Sequence, residues 1–178
     1  MRACTAEQET GRQAQASPSR HTGSRTHIRH GRSPCPVARS LAVPGDKWTL
    51  LIIREALTGS TRFMEFSAAL PGLARTLLSG RLRRLAELGV FEKVPLSETS
   101  LYYEYVLTEM GQRLFPVVTA LRQWGADYLF DESEPRPCLV DRRTQTPVPL
   151  VAVLSADGQP VMPTDTRVVT CEPDGAGQ

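Results

Sequence analysis

The stretch LARTLLSGRLRRLAEL, residues 73–88, carries two kinds of side chain on two faces of one helix. Leu78, Leu82 and Leu85 recur at spacings of four and three, with Leu77 and Leu88 flanking them. That is the repeat of a buried helical stripe. The opposite face presents Arg75, Thr76, Ser79, Gly80, Arg83 and Arg84, and Arg81 lies in the same turn. Short polar groups let a helix backbone approach a surface closely, and guanidinium forks donate to base edges or phosphates. Arg75, near the helix N-terminus, suits a guanine edge or a phosphate. Thr76, Ser79 and Gly80 leave room, while Arg81, Arg83 and Arg84 suit phosphates. A solvated face on an ordinary helix has the same composition, so the flanking elements decide the reading.

Those elements have a recognisable order. CPVARSLAV predicts a short helix over 36–43, with Pro36 in its first turn and Pro44 as a stop. Asp46 is placed to cap DKWTLLIIREALTG, whose apolar residues Trp48, Leu51, Ile52, Ala56 and Leu57 cover more than one face. Phe63, Phe66, Ala69 and Leu70 mark a third helix that ends at Pro71-Gly72. After the basic helix come two strand-like runs, VFEKVPL and LYYEYVL, joined by Ser97-Glu98-Thr99-Ser100. A final helix begins at Thr108, with Met110, Leu114, Val117, Leu121, Trp124 and Tyr128 at spacings of 4, 3, 4, 3 and 4. Such a seam suits lengthwise packing on a partner helix, although it could also pack on its own domain. Pro116 within it predicts a kink or a lost backbone bond. The fold expected is therefore mainly α with a small β-hairpin: a winged helix-turn-helix with a C-terminal dimerisation helix and a short β or irregular tail.

The net charge of +2 conceals a polarity along the 178 residues. Residues 1–33 hold six Arg against Glu7 and Glu9, and almost no large apolar side chains, so they read as a disordered basic arm. Residues 34–130 hold eleven Lys and Arg against nine acids, and form the expected DNA-binding and dimerisation domain. Residues 131–178 hold four Arg against eight acids and are rich in Pro, an acidic tail with room for a small β appendage. Its Asp157-Gly158 is a turn signal. A basic-to-acidic polarity raises the expectation of a nucleic-acid partner. No run of about 18 apolar residues predicts a membrane span, and the start lacks the apolar core of a secretory signal. A cytoplasmic protein is expected.

Catalysis finds little support. There is no Gly-rich phosphate loop, all three His (His21, His27, His30) lie in the arm, and Glu87, Glu92, Glu104 and Glu109 have no evident carboxylate partners. The four Cys, at 4, 35, 138 and 171, lack the short spacing of a zinc site. No enzyme, metal or cofactor is expected.

The strings CPVARSLAVPGDKWTLLIIREALTG, RFMEF, ALPGLARTLLSGRLRRLAELGV and YYEYVLTEMGQRL, in that order, resemble the HxlR family of winged-helix regulators, related in architecture to the MarR regulators. The resemblance covers about residues 35–130. It implies a homodimer that binds repeated half-sites of a double-stranded DNA operator through the fourth helix and the wing, which adds Ser97 and Thr99 to the reading surface. It makes Leu114, Val117, Leu121, Trp124 and Tyr128 the dimer interface. It also implies that Cys35, before Pro36, is a candidate sensor of electrophiles or oxidants. At the N-terminus of a helix the dipole would favour its thiolate, whereas an inert packed cysteine is the competing reading. Some positions depart from the family. Met64 and Ala74 stand where a small polar capping residue is usual. Ser100, Leu101 and Tyr102 replace a Pro-Pro-Arg stretch in the wing, and Glu98 puts a negative charge at its tip. A winged-helix protein–protein module and a small-molecule sensor remain alternatives, and an inducer of either chemistry is compatible with the regulator.

The arm can compensate for the altered wing by reaching along the duplex. Deletion of residues 1–33 is expected to weaken DNA binding and flatten its salt dependence, by up to about 0.9 log unit per lost phosphate contact. Binding isotherms at several salt concentrations test this; unchanged affinity and slope exclude the arm from the interface.

Overall fold

The computed structural model describes residues 34–41, 43, 46–97 and 99–170. The basic arm, Cys4, the three His, Glu98 and Cys171 lie outside the described residues. The chain divides into two units, residues 1–42 and 43–178. In the first, α1 spans Pro36–Ser40, with Cys35 as its N-cap and Pro36 in its first turn. It has five residues, shorter than the helix predicted over 36–43.

The second unit carries α2 (Lys47–Thr58), α3 (Phe63–Ala69), α4 (Arg75–Glu87), β1 (Phe91–Pro95), β2 (Tyr103–Leu107), α5 (Glu109–Gln112) and α6 (Phe115–Tyr128), followed by a 3-10 turn at Pro163–Asp165. Its core is contributed element by element. Ile52 and Ile53 come from α2, Phe66 and Leu70 from α3 and its end, Leu73, Leu78, Leu82 and Leu85 from α4 and its lead-in, and Val90 and Phe91 from β1 and its lead-in. Burying each such side chain is worth about 1.5–3 kcal/mol. The predicted leucine stripe of α4 is thus the face that enters the core, against α3 and β1.

Helix ends follow local chemistry, with one correction. Met64 is not a capping position: it is the second residue of α3, 59% exposed, and Arg62 is the N-cap. Capping comes instead from Glu65, whose Oε2 accepts the Thr61 and Arg62 amides at 2.8 and 2.9 Å. Ala74 is the N-cap of α4 and gives it no side-chain hydrogen bond. At the other end Gly89, at φ 76°, adopts the left-handed turn that a Cβ disfavours. The turn lets the Gly89 and Val90 amides reach the carbonyls of Ala86 and Leu85.

The strands pair antiparallel in the register Phe91↔Leu107 to Pro95↔Tyr103. Tyr105 and Leu107 pack on the core, and Tyr105 meets Phe91 edge-to-face at 6.3 Å. The far end of the hairpin, at Leu101 and Tyr102, is exposed.

The single helix predicted from Thr108 is two helices. Continuing α5 through Pro116 would lose an amide donor and drive the proline ring against the carbonyl of Gln112. The chain therefore breaks at Arg113 and Leu114 and restarts as α6, where Pro116 sits harmlessly in the first turn. Thr108 buckles this junction to the end of α4. Its hydroxyl donates to Gly89 O at 2.6 Å and accepts the Gly111 amide at 3.2 Å. The predicted seam divides as well: Leu114 packs on the core, while Val117, Leu121, Trp124 and Tyr128 are exposed.

Past α6 the tail forms two turns, closed by the bridges Val140↔Pro147 and Leu154↔Pro160. The second contains the predicted Asp157-Gly158 turn, with Gly158 at φ 80°. The side-chain amide of Gln123 fastens the tail to α6, donating to Pro149 O at 2.9 Å and accepting the Val151 amide at 2.8 Å.

Gly111, in this junction, is buried with no room for a side chain. A Cβ there would collide with the Val90 carbonyl oxygen and lie 2.7 Å from Leu107 Cδ2. Gly111→Ala is therefore expected to destabilise the fold by about 1–3 kcal/mol, read as a lower urea midpoint at unchanged slope.

Candidate nucleic-acid interface

With Leu78, Leu82 and Leu85 buried, the rest of α4 is turned outward. Arg75, Thr76, Ser79 and Arg83 are exposed and Gly80 is half-buried. They fall within an arc of roughly 140° at about 100° per residue. A Cβ at Gly80 would meet nothing within 4 Å, so its lack of a side chain leaves open space on this face. Among the described residues, Arg75 and Arg83 make no ion pair within the chain. Arg84, at the edge of the arc, faces Glu87 at 3.4 Å with both side chains well exposed. Such a surface pair is worth less than about 1 kcal/mol and yields readily to a phosphate.

Arg81 differs from its neighbours. It lies on the flank of α4 nearer the core, only 23% exposed, and its guanidinium Nε and Nη2 reach Asp46 Oδ2 at 3.2 and 3.0 Å. Asp46 Oδ1 also accepts the Trp48 and Thr49 amides that open α2, at 2.9 and 3.2 Å. One carboxylate therefore caps α2 and holds α4 against it. The guanidinium of Arg81, expected at a phosphate, is engaged within the domain instead.

The wing is anchored at its base. Glu104 of β2 takes Arg62 Nε at 3.0 Å and the Thr61 hydroxyl at 3.3 Å. The Tyr105 amide donates to Thr61 O at 2.7 Å. Ser97 and Thr99 are exposed in the connecting loop. Lys93, which periodicity did not single out, stands with Nζ 3.8 Å from the Tyr103 ring centroid. As the one cation of the hairpin strands, it could have been found by charge alone.

Cys35 is exposed at the N-cap of α1. The helix behind it has only five residues. Cys138 is exposed in the tail. Among the described residues, no group of three or more His, Cys, Asp and Glu could hold a metal, and no helix is long and apolar enough to cross a membrane.

The sequence profile of the HxlR-like helix-turn-helix family matches residues 43–133. An uncharacterized HTH-type transcriptional regulator of Mycobacterium tuberculosis, MT3179, is 48% identical over 101 residues, 57% of this chain and 60% of the relative. The chain thus spans about three-fifths of that relative's length. Among solved structures, PA1607, described as a candidate transcription factor, is 48% identical with a TM-score of 0.74, covering 79% of this chain and 97% of that one. A second, PA1374 from Pseudomonas aeruginosa, is 37% identical with a TM-score of 0.55, covering 80% and 95%. Both likenesses extend beyond residues 43–133, which are about half of the chain.

The Asp46–Arg81 clamp has a pH signature. Burial raises the Asp46 pKa, but the hydrogen bond and charge of Arg81 and the Thr49 and Trp48 amides outweigh it and hold the carboxyl below 3.8. The folded carboxyl is then the more acidic, so its stabilisation is complete above the ordinary value and is lost as pH falls through the folded one. Asp46→Ala is expected to lower stability at neutral pH by about 1 kcal/mol through the lost cap. Both Asp46→Ala and Arg81→Ala should flatten the loss of stability below about pH 4. Urea unfolding at a series of pH values reads this; an unchanged profile in both variants dissociates the pair from folding.

Proposed function

Because the chain belongs to the HxlR-like helix-turn-helix family of transcriptional regulators, we propose that it is a dimeric, sequence-specific binder of double-stranded DNA that regulates transcription. The observation that carries this reading is α4, fully buried on its leucine face and open on the face of Arg75, Thr76, Ser79, Gly80 and Arg83. Two such helices in a dimer enter successive major grooves about 34 Å apart. Arg75 reads a base edge from the helix start, and Thr76, Ser79 and Gly80 allow close approach. Arg83 and Arg84 take phosphates, joined by Ser97, Thr99 and Lys93 from the wing. Arg81 acts through Asp46, by holding α4 at its angle.

The exposed face of α6 supports the dimer. Val117, Leu121, Trp124 and Tyr128 are each at least half exposed, and the Trp124 and Tyr128 rings lie 5.8 Å apart. Four large apolar side chains on one helix face suit a partner helix. Leu114 supports the core behind this face and is not part of it. The exposed thiol of Cys35 makes an electrophile or oxidant a compatible inducer.

The test uses a duplex selected from a random pool by the full chain. Arg75→Ala is expected to weaken that duplex by about 5–150-fold and relax preference at one position per half-site. Arg83→Ala should weaken all duplexes alike and reduce the salt slope by about one. Diamide should release the duplex from the unaltered chain and not from Cys35→Ser if the thiol is the sensor. Failure to select any sequence, with salt-insensitive binding, excludes the reading in favour of a protein–protein module.

A further inference from the structure

Residues 147–156 of the tail read PVPLVAVLSA, a run without a charged side chain. Its hydrogen bonds alternate as in an extended strand, whose successive residues face opposite edges. The odd-numbered residues bond along one edge. Pro149 O and the Val151 amide hold the two ends of the Gln123 side-chain amide. Val153 O accepts the Val161 amide at 3.0 Å, and the Ser155 amide donates to Gln159 O at 2.8 Å. The other edge is open. Among the described residues, the amides and carbonyls of Leu150, Ala152 and Leu154 have no hydrogen-bond partner. Leu150 and Leu154 are 71% and 56% exposed, and Ala152 is exposed with them.

The sequence explains why the chain leaves this edge uncovered. On the same side, the Val148 amide donates to Leu139 O and the Asp141 amide to Thr146 O, each at 2.9 Å. Continued in the register Val140↔Pro147, that ladder sets Pro137 opposite Leu150 and Pro135 opposite Ala152. Both are bonding positions, and neither proline has an amide to donate.

An open, uncharged strand edge is a template for another strand. Two features select a second copy of this chain. Residues 150–154 read LVAVL, the same in either direction. Antiparallel pairing about a two-fold axis at Ala152 therefore sets each Leu150 against a Leu154, each Val151 against a Val153, and the two Ala152 against each other. The leucine and alanine pairs fall at bonding positions, where facing residues exchange both hydrogen bonds. The second feature is Gln123, which ties this run to α6, the helix whose Val117, Leu121, Trp124 and Tyr128 are exposed. We propose that residues 150–154 of two copies pair antiparallel about Ala152 and join the short tail ladders of both into one sheet. The pairing rests on the dimeric reading and gives that dimer a second contact beside α6.

Ala152 is the place to test it, since its side chain is exposed and its amide has no partner within the chain. The full chain is compared with Ala152→Lys, Ala152→Glu and Ala152→Pro by sedimentation equilibrium. Each variant is expected to raise the dimer dissociation constant at least about tenfold, by like charges at the axis or by loss of the central hydrogen bonds. An equimolar mixture of the Lys and Glu variants should return to within about threefold of the unaltered chain at low salt. That rescue also shows both variants to be folded. Unchanged dissociation constants in all three variants, or a mixture no tighter than its two components, overturns the proposal. If that dimer still separates in Trp124→Asp, the dimeric reading stands on α6 alone. An unaltered chain that is monomeric at every concentration overturns both.

Discussion

The complete burial of Leu78, Leu82 and Leu85 is the constraint from which the rest of the domain follows. Three leucines on one face of a thirteen-residue helix are satisfied only against another apolar surface, here the core that they share with Ile52, Ile53, Phe66 and Phe91. Once that face is committed, the helix cannot rotate, and the side chains beside the stripe meet solvent. The outward arc of Arg75, Thr76, Ser79 and Arg83 is therefore a consequence of packing. No polar group has to hold it there. Polar contacts refine the angle instead, through a carboxylate that would be needed at the start of α2 in any case.

That economy recurs around the domain. Asp46 caps one helix and steadies another, and Thr108 caps α5 while tying it to the end of α4. Gln123 uses both ends of its amide to hold two backbone groups of the tail. Each is a single side chain that satisfies an otherwise orphaned backbone group and fixes the relation between two elements. The apolar face of α6 has no such internal solution, since Val117, Leu121, Trp124 and Tyr128 point away from the core that Leu114 and Val118 join.

Much of the fold was legible in the chain before any coordinates, for a common reason. The 3.6-residue repeat of the leucines, the alternation of Tyr103, Tyr105 and Leu107, the cap at Asp46 and the glycine exit at Gly89 are all local, expressed within a few residues. Where side-chain spacing and backbone chemistry compete, the backbone decides: the seam runs through Pro116, whose missing amide, expected to kink or break the helix, divides it into α5 and α6. The resemblance to the family placed a cap at Met64, whereas α3 starts one residue earlier, at Phe63, with Arg62 as its N-cap.

The sequence by itself determined the order of helices and strands and the apolar stripe of α4, because these depend on neighbours within one or two turns. The candidate reading helix belongs here, as does its set of arginines. Only the tertiary structure decided which of those arginines stands open to a ligand. Arg81 is withdrawn by a carboxylate 35 residues earlier in the chain, a pairing that no spacing rule anticipates. It likewise decided that Gln123 would grip the backbone 26 and 28 residues onward. Such outcomes depend on which buried surfaces meet, and that is settled by the packing of the whole domain rather than by the periodicity of any one segment.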